Sequence, residues 1–210
     1  QCRQAPILAI LFVYLYETGR GSDLRTLLEE LKRHGHFGNW LQRRIEASFA
    51  DGNVELANSL PLLIGQFPIQ EHIANKFEAP YSQLHDVLAN DGWIERIKKN
   101  DHNEALWVVG HDIFADSILL SQLLSSPKTA TSFIARILAT AETLSTQHSA
   151  IVALNRLSGD EVALEVDWPA VIFNRLQENS TAWSEFRGLL IRSPLLNAED
   201  KLTLLDPLCQ

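Results

Sequence analysis

Two short runs of β-branched and aromatic residues, WIERIKK (93–99) and ALWVVG (105–110), enclose a polar tip, KNDHNE (99–104), and predict a hairpin. They constrain the fold because nearly every other apolar run in the chain repeats at three- and four-residue steps, the spacing of a helix. Trp93 and Trp107 are expected to face each other across the hairpin and anchor it to the core. Prolines and glycines cut the preceding stretch into three short helices. Leu56 begins one that ends at Gly65; Pro68 initiates IQEHIANKF; Pro80 initiates YSQLHDVLANDG, which stops at Gly92. After the hairpin, HDIFADSILLSQLL returns to helical spacing through Ile113, Phe114, Ile118, Leu119 and Leu123.

Three helices, a two-stranded wing and a closing helix describe a winged-helix domain over residues 53–126. Residues 1–52 read as a helical bundle. Pro6 opens an all-round apolar helix, ILAILFVYLYETG, that closes at Gly19; Ser22 or Asp23 caps LRTLLEELKRHG, with Leu24, Leu27, Leu28 and Leu31 on one face. NWLQRRIEASFA follows, with Trp40, Leu41, Ile45 and Phe49 on one face and Arg43 and Arg44 on the other. Residues 127–210 read as helices with short polar joints, a repeat or connector of stacked α-helical hairpins like those of TPR or HEAT proteins. A short strand or loop is placed over SGDEVALEVD (158–167). The fold class is mainly α: a helical bundle, a winged helix with a small two-stranded β-hairpin, then helical hairpins.

Composition narrows the function. In 210 residues, 46% are hydrophobic, so a sizeable core is within reach. Eighteen basic residues against 26 acidic ones give a net charge of −8, which disfavours a general affinity for nucleic-acid phosphate. Cys2 and Cys209 lie at opposite ends, and no apolar run approaches the roughly 20 residues of a membrane span, so a cytoplasmic chain without a disulfide framework is expected. Methionine is absent, as a fragment or processed chain would explain. Neither GxxxxGK[ST] nor GxSxG occurs, and ETGRGSD (17–23) lacks the lysine of a phosphate loop, so it reads as a helix stop followed by a new cap. No enzymatic activity is expected of the chain by itself.

Two local motifs carry a resemblance. QAPILAI (4–10) resembles the GLPLAL-type segment that opens the helical lid of STAND-class signal-transducing NTPases, of the NACHT and NB-ARC kind. WVVGHDIFADSILL (107–120) resembles the segment in which those proteins carry their MHD motif, at the end of the winged helix. Gln4 stands where the first motif usually has glycine, and Gly110 where the second usually has methionine or another apolar residue. The resemblance implies that Pro6, flanked by Ala5 and Ile7, packs near the adenine of a bound nucleotide. It implies too that His111 reaches the β-phosphate of ADP and holds the resting state, with Asp112 capping the next helix. ADP or ATP would then be the cofactor of an intact parent, with Mg²⁺ held by an upstream NTPase domain, and none is expected for this chain alone. The implied partners are that nucleotide-binding domain, proteins bound through the helical repeats, and further copies on activation, with no nucleic acid and no membrane.

Other readings use the same residues. His111 has an ordinary explanation, a histidine before a helix, beside Asp112 as cap and satisfied by a backbone carbonyl. A DNA-binding winged helix would use 80–91 for recognition, yet that stretch carries Asp86 and Asp91 and no Lys or Arg, and residues 51–125 hold 4 basic and 11 acidic side chains. Arg96, Lys98 and Lys99 on the wing are the features that favour it. A helical scaffold that binds protein through its repeat surface is the third reading. His34 and His36 bracket Gly35, but no third metal ligand accompanies them.

Overall fold

The computed structural model describes residues 21–34, 38–49, 52–98, 105–123, 127–157 and 198–205. In chain order these form α1 (Gly21–His34), α2 (Gly38–Glu46), α3 (Val54–Ile64), β1 (Ile69–Gln70), α4 (Glu71–Ala74), α5 (Tyr81–Asn90), β2 (Ile94–Lys98), β3 (Ala105–Val109), α6 (Asp112–Leu123), α7 (Pro127–Leu144), α8 (Gln147–Leu157) and α9 (Ala198–Leu205). The described residues are mainly helical, with one small antiparallel sheet. Among the described residues, no helix is long and apolar enough to cross a membrane.

Local chemistry explains most element ends. Asn53 starts α3: its Oδ1 accepts the N–H groups of Glu55 at 3.0 Å and Leu56 at 3.2 Å, so the helix begins at Val54 rather than Leu56. Gly92 follows α5 with φ +75°, a conformation that costs glycine nothing, and this turns the chain into β2. On α1, Ser22 and Asp23, the expected caps, are themselves helical residues. The helix expected over 167–179, the one over 181–193 and the possible strand at 158–167 lie outside the described residues.

The hairpin forms where expected, but the sheet has three strands in the order β1-β3-β2. Ile69 pairs with Trp107 and Gln70 with Leu106, so the segment after Pro68 begins as strand, not helix. Its backbone groups find partners on β3, far along the chain, and Ile69 is fully buried; helix is confined to Glu71–Ala74. The register also corrects the tryptophan pairing. Trp107 lies opposite Arg96, while Trp93 precedes the ladder and its carbonyl accepts the Gly110 N–H at 3.0 Å. Both rings still pack against the core, Trp93 edge-on to Phe114 at 6.0 Å and Trp107 edge-on to His85 at 4.6 Å.

Among the described residues, a single hydrophobic cluster takes in buried side chains from Leu27 through Leu157. It joins Trp40, Leu41 and Ile45 of α2 to Leu60 and Leu63 of α3, Leu84 and Leu88 of α5, Ile118 and Leu119 of α6, and Ile134 and Ile137 of α7. Each such side chain contributes about 1.5–3 kcal/mol through removal from water. A buried polar knot reinforces it. Gln66, with no exposed surface, donates from Nε2 to the Leu62 carbonyl at 3.0 Å and the Ile137 carbonyl at 3.2 Å, and its Oε1 accepts the Thr146 hydroxyl at 2.7 Å. The knot satisfies both sides of the amide and fastens the turn after α3 to α7 and to the α7–α8 joint.

Candidate functional site

His111 sits between β3 and α6, at the point where the strand turns into the longest helix of the 53–126 segment. It is exposed, and its side chain caps α6: Nδ1 accepts the Ile113 N–H at 3.2 Å, while its carbonyl accepts the Phe114 N–H at 2.9 Å. The expectation that Asp112 caps the helix is thus corrected, as is the ordinary reading that a backbone carbonyl satisfies the ring. Asp112 lies inside the first turn, where the helix dipole favours a carboxylate, and its Oδ1 lies 3.6 Å from Arg156 Nη1. An Nδ1 that accepts a hydrogen bond requires the hydrogen of a neutral imidazole to sit on Nε2. The ring is therefore oriented as a donor on its Nε2 side, the chemistry that suits a phosphate oxygen. Gly110 needs no glycine for space, since an added Cβ would meet the Trp93 carbonyl at 3.6 Å, an ordinary contact. Pro6, Ala5 and Ile7 lie outside the described residues.

The helix that carries this cap is held on several flanks. Gly38, at the start of α2, lies so close that a Cβ built on it would come within 1.8 Å of the Ser117 carbonyl oxygen. Gln122 Nε2 donates to Gln42 Oε1 at 3.0 Å farther along the same contact. On another flank, Arg156 of α8 reaches Asp116 with Nε at 2.8 Å and Nη2 at 2.6 Å, and Asp112 with Nη1 at 3.6 Å. Ile113, Ile118 and Leu119 fill the interior between these supports.

No family model, curated protein or solved structure is significantly similar to the chain. Chemistry at the remaining sites therefore rests on their own geometry. Arg96 binds Glu71 through Nε at 2.6 Å and Nη2 at 2.8 Å, across the row in which Arg96, Trp107 and Ile69 are neighbours. The guanidinium holds the Glu71 carboxyl below its ordinary value, and the carboxylate raises that of Arg96. His85 of α5 is wedged between Phe77 and Trp107; its Nε2 is buried without a hydrogen-bond partner, and burial pushes its pKa below the usual imidazole range. Its Nδ1 lies 3.9 Å from Asp86, which opposes that shift.

A depression of about 320 Å³ between α1 and α2 is lined by Thr26, Trp40, Arg43, Arg44 and Ala47, and shares no residue with the His111 turn. Arg43 and Arg44 occupy the last turn of α2, where the helix dipole favours cations, which accounts for them without a ligand. Among the described residues, no three His, Cys, Asp or Glu side chains are grouped to hold a metal, and His36 lies outside those residues. Sequence reasoning missed Arg156, Gly38 and Gln66. The acids Asp112 and Asp116, four apart on one helical face, were the visible half of the Arg156 cluster, but nothing local marks a partner 40 residues away.

Proposed function

We propose that this chain is a regulatory, non-catalytic part of a STAND-type signalling ATPase, in which residues 53–126 form a winged helix and His111 senses the nucleotide. Supporting the winged helix are the element order α3-β1-α4-α5-β2-β3 and a sheet in which the strand before the recognition position pairs with the last strand of the wing. The observation that carries the reading is the exposed His111 ring at the amino end of α6, oriented by the Ile113 amide so that its donor side is available to an anion. In the intact protein the ring would contact the β-phosphate of ADP and favour the resting conformation. ATP, arranged differently in the cleft, would lose that contact and release the lid and winged helix from the nucleotide domain. Oligomerisation then follows from the surfaces exposed, and residues 127–210, like helical-repeat scaffolds, would connect to the sensor.

The same geometry weighs against a duplex-DNA partner. α5 bears no Lys or Arg, and Arg96, the wing guanidinium, is engaged by Glu71. The test is His111→Ala in the nucleotide-bound parent, with retained ADP measured after purification. Reduced retention and raised resting oligomerisation are expected; retention equal to wild type would refute nucleotide sensing by this residue.

A further inference from the structure

We infer that Arg156 is a positioning residue for His111, and that it ties the nucleotide-sensing turn to the position of the α7–α8 helical pair. The inference rests on the reading of His111 given above and extends it to how that site is regulated. Arg156 lies in the last turn of α8, and the two acids it meets lie in the first two turns of α6. A cation at a helix carboxyl end and anions at a helix amino end are each favoured by the backbone dipoles they face. One guanidinium therefore joins two helix ends of opposite polarity, and its fork spans acids one turn apart. The Asp116 arm is the sheltered one, with that side chain 24% exposed and Arg156 34%, while Asp112 is 76% exposed and its 3.6 Å contact adds a weak, solvated pair.

Asp112 stands directly between His111 and Ile113, the two residues whose side chain and amide form the cap. Any tilt of the first turn of α6 changes the distance between Nδ1 and that amide, and with it the direction of Nε2. The other end of the connection is firm, because α7 and the α7–α8 joint are fastened to the turn after α3 through Gln66. A displacement of the far end of α8 about that fixed joint would meet the sensing turn at the guanidinium, since Arg156 lies in the last turn of α8. Displacing α8 withdraws the guanidinium, the first turn relaxes, and the imidazole loses its fixed orientation.

The test uses the 210-residue chain uniformly labelled with ¹⁵N, comparing wild type with Arg156→Ala, Arg156→Lys and Asp116→Asn. In Arg156→Ala and Asp116→Asn the Ile113 amide is expected to exchange about three- to fivefold faster, the range that a partly exposed ion pair supports. The His111 Nδ1 resonance should move away from its hydrogen-bonded position, while the amides of Leu63 and Ile137 keep their protection. Arg156→Lys, which retains the charge, should return part of both signals. Unchanged Ile113 exchange and His111 resonance in Arg156→Ala and Asp116→Asn would overturn the inference. So would a uniform loss of protection in both variants, which would assign Arg156 to the fold alone. A parent in which His111→Ala leaves ADP retention unaltered would refute nucleotide sensing while leaving the Arg156 measurements intact, so the two failures are distinguishable.

Discussion

Gly38→Ala should destabilise the protein, although the same change at an exposed helical position would ordinarily stabilise it. The added Cβ would lie 1.8 Å from the Ser117 carbonyl oxygen and 2.8 Å from the Ser121 Cβ, whereas real Cβ contacts essentially never fall below 3.0 Å. The first obstacle is backbone in the middle of α6, not the far end of a flexible side chain, so α2 and α6 must separate by roughly 1.2 Å (3.0 less 1.8) or more. Overpacking of this kind costs about 1–3 kcal/mol, to which the lost fit of Trp40, Leu41 and Ile45 adds. The better helix propensity of alanine offsets about 0.5–1 kcal/mol. A net loss of about 1–2 kcal/mol remains, and for a chain of this size it lowers Tm by roughly 2–8 °C. Urea unfolding followed by far-ultraviolet circular dichroism and by tryptophan fluorescence gives the midpoint directly. A midpoint equal to or above wild type would refute the close approach of α2 to α6.

Burial of His85 sets a pH dependence whose sign is fixed by its depressed pKa. The folded chain binds fewer protons than the unfolded one below the ordinary value of 6.5, so stability is fullest above that pH and declines as pH falls through 6.5 towards the folded value. His85→Phe should remove that slope in unfolding experiments from pH 7.5 to 5; an unaltered slope would place its origin elsewhere. Gln66→Leu is expected to cost about 1–3 kcal/mol by leaving the buried Thr146 hydroxyl without its acceptor and removing the second donor to the Ile137 carbonyl. Combining it with Thr146→Val should cost less than the sum of the single changes, and strict additivity in calorimetry would contradict the direct bond between them. Arg96→Ala should return the Glu71 carboxyl towards its ordinary 4.5, measured by carbon-detected titration, with little effect on stability because both groups are exposed.

The hairpin, the helical character and most helix ends were legible because they depend on neighbours in sequence. WIERIKK and ALWVVG carry their own strand chemistry, and Gly92 its own turn. β1 was not legible, since two residues after a proline offer no pattern and their partners lie on β3. The cap was misassigned for a related reason: aspartate is the commoner capping residue, but one register step places the imidazole, not the carboxylate, over the Ile113 amide. The motif resemblance pointed to His111, and the structure shows that residue as the side-chain cap of α6. The cluster around it was hidden because Arg156 and Gly38 act across 40 and nearly 80 residues of chain.

The amide of Gln66 has a practical meaning for anyone who wishes to dissect this molecule. Cutting the polypeptide after residue 126 would strip that side chain of the Ile137 oxygen and the Thr146 hydroxyl while uncovering apolar faces of α3 and α6 that α7 shields. Such a trimmed piece is expected to be sticky and poorly soluble, so segments that look separable by pattern need to be produced together.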